Sequence, residues 1–207
     1  MICLLIDTST SNLIVSIIKD NEIKYIYQEK ILAEMSSKLL PIIDNGLKEI
    51  NLKLNDIDKI FVVNGPGSFT GIRVGVTVAK TIAWALKKDI IPLSSLELIA
   101  TTNTSKKYIV PMIDARRNNV FAGIYDNNLN CVKEDKLISI EELSNLSDDY
   151  EFASYDNING VIKPNIDILK IINKHINDEG INPHNLNPNY LKLTEAEESR
   201  ENKLKND

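Results

Sequence analysis

Histidine and cysteine are scarce in this 207-residue chain, with two of each. His175 and His184 do not form a His-x-x-x-His pair, so a metal centre built on helical histidines has no ligands to use. Cys3 lies in an apolar run and Cys131 near a turn; they make no disulfide or metal framework and read as two reduced thiols. No Gly-Lys-Ser/Thr stands at P-loop spacing, no G-x-G-x-x-G is present, and no Ser-His-Asp or Cys-His set can be nominated. Positive charge is also short: 24 Lys and Arg face 29 Asp and Glu, a net charge of -5. A whole-molecule clamp on nucleic acid needs a basic face to displace phosphate counterions, so any RNA contact is local or delegated to a partner. The opening run Met1 to Asp7 has no basic leader and stops far short of a membrane span, which points to a cytoplasmic protein without a membrane partner.

What is present is ordinary for a globular chain, 43% hydrophobic and 26% charged, enough to bury one large domain or two lobes. Ile2 to Asp7, Leu13 to Asp20 and Ile23 to Glu29 read as a strand meander. A helix follows from about Ser37 to Asn51, then a strand at Ile60 to Val63, a helix from Ile72 to Lys88 and a short helix at Leu96 to Thr101. The second half starts like the first: Tyr108 to Asp114 echoes Met1 to Asp7, and Asn119 to Asp126 echoes Asn12 to Asp20. Hairpins share patterning, so the echo reads either as coincidence or as an internal duplication. After Val132 to Ser139 come a short helix at Ile140 to Leu146, a strand at Tyr150 to Ser154 and a helix at Ile166 to His175. Residues 181–193, rich in Asn and Pro, read as an extended loop, and 194–207 as a charged tail.

The most informative run is Val63-Asn-Gly-Pro-Gly-Ser-Phe-Thr-Gly-Ile-Arg-Val-Gly75, which joins a strand to a helix and holds Gly65, Gly67, Gly71 and Gly75. Glycines with Ser68 and Thr70 at a helix N-terminus allow backbone amides to approach an anion, and they equally allow a helix to lie close against a sheet. Chemistry alone leaves both readings open. The candidate anion or nucleotide contacts are Asp7, Gly65, Gly67, Ser68, Thr70, Gly71 and Arg73. Asp7 closes a strand, where a carboxylate either positions a metal or water or caps its own turn. Arg116 and Arg117 either meet a phosphate or pair at the surface.

The wording of this run closely resembles the signature of the TsaB (YeaZ) family, accessory subunits of the bacterial tRNA threonylcarbamoyladenosine machinery. Asn187-Pro-Asn-Tyr-Leu191 resembles the Pro-x-Tyr-Leu near the end of family members, so the resemblance spans most of the chain while being strong only at 63–75. It implies an α/β fold of the actin, Hsp70 and sugar-kinase type, with duplicated mixed-sheet lobes at 1–105 and 106–193, the second abbreviated. It also implies a non-catalytic scaffold acting with TsaD, which transfers the threonylcarbamoyl group from threonylcarbamoyl-AMP to the adenosine 3′ of the anticodon, and with the ATPase TsaE. The departures concern nucleotide and metal. The turns Asp7-Thr-Ser-Thr-Ser11 and Asp114-Ala-Arg-Arg117 lack the glycine of active relatives, Phe152-Ala-Ser-Tyr155 stands where adenosine-site glycines belong, and Met35-Ser36 replaces a frequent His-Ser. No intrinsic cofactor, metal ligand or catalytic residue is therefore expected, with ATP or ADP left only to a complex interface. An autonomous small-metabolite kinase and a metallopeptidase are the competing expectations.

Two helices carry more apolar surface than one contact needs. From Ile72 to Leu86 the apolar arc covers roughly 200°, where a one-sided helix needs about half. The expected partner face comprises Leu39, Ile43, Gly46, Leu47 and Ile50 on the first helix, with Val76, Ala79, Ala83 and Trp84 on the second. A central Gly46 suggests a close helix crossing, and Pro41 fits a first helical turn. Trp84 is either an exposed anchor or an indole folded over neighbouring aliphatic stems. In the family this surface pairs with TsaD, or with a second copy of the chain when TsaD is absent.

Overall fold

The computed structural model describes residues 1–31, 34–143, 146 and 149–191; the charged tail expected at 194–207 lies outside them. Strands β1 (Ile2–Asp7), β2 (Asn12–Lys19) and β3 (Glu22–Lys30) form an antiparallel meander. Strand β4 (Lys59–Gly65) joins β1 in parallel and β5 (Ile90–Ser94) joins β4, giving the order β3-β2-β1-β4-β5. The second sheet comprises β6 (Tyr108–Asp114), β7 (Asn119–Asp126), β8 (Cys131–Ser139) and β9 (Tyr150–Ala153) in the order β8-β7-β6-β9. That order reproduces β3-β2-β1-β4 in topology and strand direction and lacks the fifth strand. The copy extends to single atoms. Asp7 Oδ1 accepts the Ser9 amide and Asp114 Oδ1 accepts the Arg116 amide, so each first strand ends in the same side-chain-capped turn. This is the duplicated α/β fold with an abbreviated second lobe.

Strand β5 has no counterpart among the sequence expectations. It is five residues long and carries Pro92, which cannot donate to a ladder and argues against a central strand. It sits at the sheet edge, where that loss is tolerated.

Helices α1 (Met35–Glu49) and α2 (Phe69–Leu86) cover one face of the first sheet, while α3 (Ser95–Ala100) lies on the other. The pleat explains why β1 and β4 read as unbroken apolar runs. Leu4, Ile6, Ile60 and Val62 point toward α1 and α2, whereas Cys3, Leu5, Phe61 and Val63 point toward α3. The α3 face belongs to a core shared by both sheets, closed by Ile113 and Phe121 of the second sheet and by Ile168, Ile171 and Ile172 of α5 (Ile168–His175). The short α4 (Ile140–Leu143) packs Leu143 on the outer face of the second sheet. Past α5 the chain returns to the first lobe. Ile181 bridges to Ile90 at the β5 edge, a 3-10 turn follows at Pro183–Asn185, and Leu186 is buried with α1 and α2.

Two local expectations are corrected. The first helix begins at Met35, so Pro41 lies in its interior rather than its first turn, on the exposed side. Gly46 serves no helix crossing: a Cβ there would stand 2.5 Å from the Tyr25 ring, so the glycine lets β3 lay an aromatic side chain flat on α1.

Candidate functional site

The second-lobe turn between β6 and β7 faces the β1–β2 turn and the start of α2 across a cleft of about 980 Å³. Gly67, Ser68, Thr70 and Gly71 line it from α2 and the turn before it; Ser9, Thr10 and Ser11 line it from the β1–β2 turn. Asp114 and Arg116 line the opposite side, and Asn189, Tyr190 and Leu191 form a further wall.

The glycines of the signature are used by the chain itself. A Cβ on Gly71 would meet the Thr8 carbonyl oxygen at 2.1 Å, and one on Gly75 would meet Thr8 Oγ1 at 2.3 Å. Gly67, at φ 153°, leaves room for the Ser9 carbonyl oxygen, and Gly65, at φ 123°, for that of Asn189. Helix α2 can therefore lie directly against the β1–β2 turn. Thr8 Oγ1 donates to Gly71 O at 2.7 Å, the Ser68 amide donates to Ser9 O at 2.7 Å, and Ser68 Oγ caps the helix by accepting the Gly71 amide. Close packing accounts for all four glycines.

Asp7, expected as a ligand contact, lies beneath the cleft and does not line it. It is 2% exposed, and its Oδ1 accepts the Ser9 amide at 2.7 Å. Burial pushes its carboxyl up to about 6, against the opposing pull of Ser9. Tyr155 is pushed upward in turn, by its own burial and then by the Asp7 charge, and accepts from Gln28 Nε2 at 3.2 Å. Ser9 Oγ is the one buried side-chain oxygen among the described residues without a hydrogen-bond partner. Gly65 and Arg73 also lie off the cleft lining. Arg73 Nε donates to Tyr190 Oη at 2.8 Å and its guanidinium lies 3.8 Å above the Phe69 ring, while Phe69 and Tyr190 stack at 4.9 Å. The positions are 117 residues apart, and apart from the Pro-x-Tyr-Leu wording nothing local in the sequence pairs them.

The residues expected on a partner face divide sharply. Leu39, Ile43, Gly46, Leu47, Val76, Ala79 and Ala83 are buried in the first lobe's own core, and Ile50 is half-buried against it. The wide apolar arc of α2 is thus consumed inside the chain, by the sheet, by α1 and by Leu186. Trp84 differs, at 65% exposed, as does Leu40 on α1, at 54%. An arc of hydrophobicity records how much surface is covered and is silent about what covers it.

Neither histidine approaches the cleft. His175 sits at the end of α5, with Nδ1 2.6 Å from Asp178 and Nε2 3.1 Å from both oxygens of Glu97, which lies on α3. His184 is exposed in the 3-10 turn. Among the described residues no three His, Cys, Asp or Glu side chains converge as a metal site, and no helix is long and apolar enough to cross a membrane. Cys3 is buried and Cys131 exposed, both as free thiols.

The TsaD family model, described as tRNA N6-adenosine threonylcarbamoyltransferase, matches residues 28–176. The tRNA threonylcarbamoyladenosine biosynthesis protein TsaB of Bacillus subtilis is 36% identical over 126 residues, 60% of this chain and 55% of its own length. Its namesake in Buchnera aphidicola subsp. Schizaphis graminum is 31% identical over 149 residues, covering 69% of this chain and 70% of that protein. The chain thus matches little more than half of the Bacillus relative. Among solved structures, YeaZ from Pseudomonas aeruginosa superposes with a TM-score of 0.77 at 21% identity, over 91% of this chain and 100% of that one, which shows a common fold. Matched by a TsaB relative at 31% identity over more than two thirds of both lengths, the chain belongs to the TsaB family.

Proposed function

We propose that the chain is a non-catalytic subunit in the formation of threonylcarbamoyladenosine in tRNA, where it holds TsaD and, through the assembly, works with TsaE. The observation that carries this reading is Asp7. The carboxylate that would serve chemistry in the cleft is buried, with its Oδ1 held by the Ser9 amide, and the turn that holds it has no glycine through which its amides could approach a phosphate closely. The same facts speak against an autonomous kinase. Trp84 and Leu40, exposed on two adjoining helices, supply the apolar contacts for a docking face on the outer side of α1 and α2. Alone, the chain would pair with a second copy through this face. ATP or ADP, in this reading, binds at an interface with TsaD rather than wholly within this chain, and tRNA is met through the complex.

Reconstitution of tRNA modification with TsaD and TsaE tests the role. Modification is expected to collapse when this chain is omitted; an equal rate without it overturns the proposal. The docking face is tested by Trp84→Glu and Leu40→Glu, both at exposed positions, with sedimentation of the mixture with TsaD. Loss of the complex with an unchanged circular dichroism spectrum is expected, and an intact complex in both variants removes this face.

A further inference from the structure

Beyond Leu186 the chain runs along one wall of the cleft with neither helix nor strand. Leu186 itself is a firm anchor: it is 1% exposed in the core under α2, and its carbonyl accepts from Lys80 Nζ at 2.9 Å. The next residues are held from outside. Asn64 Nδ2 donates to Asn187 O at 3.0 Å, the Asn189 amide donates to Asn64 O at 2.7 Å, and Tyr190 rests on Arg73 and Phe69. Phe69 and Tyr190 remain 37% and 40% exposed. Leu191 is partly buried against the core shared by both sheets, whereas the residues before it have few buried apolar contacts and exposed hydrogen bonds, and such a segment opens at a lower free energy than the core it touches.

The signature itself is shaped for this segment. Gly65 would carry a Cβ 2.5 Å from Asn189 O, so only glycine lets the segment's backbone lie flat on the turn. Phe69 and Arg73 stand one helical turn apart on α2 and grip the same tyrosine ring. Gly65 and Arg73, which do not line the cleft, and Phe69, which does, therefore all hold one segment, and that segment supplies Asn189, Tyr190 and Leu191 as a cleft wall.

We infer that residues 187–191 form a strap hinged after Leu186 and latched to α2 by Arg73 and Phe69, and that its opening controls access to the cleft between the lobes. The strap is a property of the isolated chain and holds whatever docks on α2. When it lifts, the cleft loses the wall formed by Tyr190 and Leu191 while the core beneath stays folded, because Leu186 remains seated.

Native-state hydrogen exchange on the full chain tests this. The Asn189 amide is expected to exchange about 100-fold faster than the amides of β1, at a rate insensitive to low denaturant, the mark of local opening. Tyr190→Ala, and separately Arg73→Ala, should speed Asn189 exchange about tenfold further and leave β1 unchanged. In a Cys131→Ser background, a thiol introduced by Ala115→Cys, at a buried position on the cleft lining, should react about tenfold faster when Tyr190→Ala is added. Exchange of Asn189 only together with β1 makes the wall a fixed part of the core and overturns the strap. So does an Asn189 rate, or an Ala115→Cys reactivity, indifferent to loss of the tyrosine.

Discussion

Asp7 is a charged group in a costly position, and its cost depends on pH. Burial raises its folded pKa to about 6 from 3.8. Between those values the folded chain keeps a proton that the unfolded chain releases, so stability falls as pH rises through this window. The penalty is absent below it and complete above, and about two units correspond to about 3 kcal/mol at most. Asp7→Asn keeps an oxygen to accept the Ser9 amide and loses the charge. It is expected to raise stability by about 1–3 kcal/mol at pH 7.5 and to give no gain at pH 4, as read by urea denaturation at both values. Gly71→Ala works in the opposite direction. Its new methyl would strike backbone, the Thr8 carbonyl, which cannot swing away like a side chain. A loss of about 1–3 kcal/mol is expected, measured as a lower urea midpoint with an unchanged slope.

At the scale of elements, α3 and α5 are joined by a buried carboxylate. Burial pushes Glu97 up, but hydrogen bonds from His175 and Lys174 outweigh it and its pKa ends below the usual value. His175 is raised, chiefly by its bond to Glu97, against burial and with help from Asp178. Lys174 Nζ lies 2.5 Å from Glu97 Oε1 and 2.6 Å from Leu129 O. The lowered carboxyl stabilises the fold above its unfolded value of 4.5, an effect lost as pH falls through the folded value. The raised imidazole does so below 6.5 and loses the effect as pH rises through its folded value. The contact is therefore fully present between about pH 4.5 and 6.5. Glu97→Gln should lower the melting temperature most at pH 5.5 and less at pH 8.5; an equal drop at both would show that only packing was lost. The helices also show where reading by pattern stops. Periodicity located α2 and its apolar width, yet Val76, Ala79 and Ala83 could not be assigned to a partner or to the chain's own sheet from the pattern. Burial by either gives the same side chains.

For the whole molecule, the core that includes Leu5, Phe61, Ile99, Ile113, Phe121 and Ile171 draws on both sheets, α3 and α5. The lobes share apolar surface that neither could leave exposed. Ile99, 2% exposed between the sheets, is the test position. Ile99→Ala should cost about 2–5 kcal/mol and lower hydrogen-exchange protection of β2 and β7 amides by the same free energy. Loss of protection in β7 alone would show that the second lobe unfolds by itself. The echo between the halves was legible because apolar strand runs and the Asp that closes them are local, and the 63–75 run was legible because its wording is specific.

By itself the sequence determined the meanders, the long helices and the glycine turn, all set by hydrogen bonding and side-chain spacing within a few residues, and it left the echo between the halves open. Tertiary structure alone decided that the four glycines accommodate the chain's own backbone and Thr8, that Asp7 lies under the cleft and that Tyr190 closes onto Arg73. Each of these depends on what lies across the fold, 117 positions away in the case of Arg73 and Tyr190, where no local preference reaches. A backbone atom and a ligand oxygen demand the same empty space beside a glycine, and only the packed chain shows which one fills it.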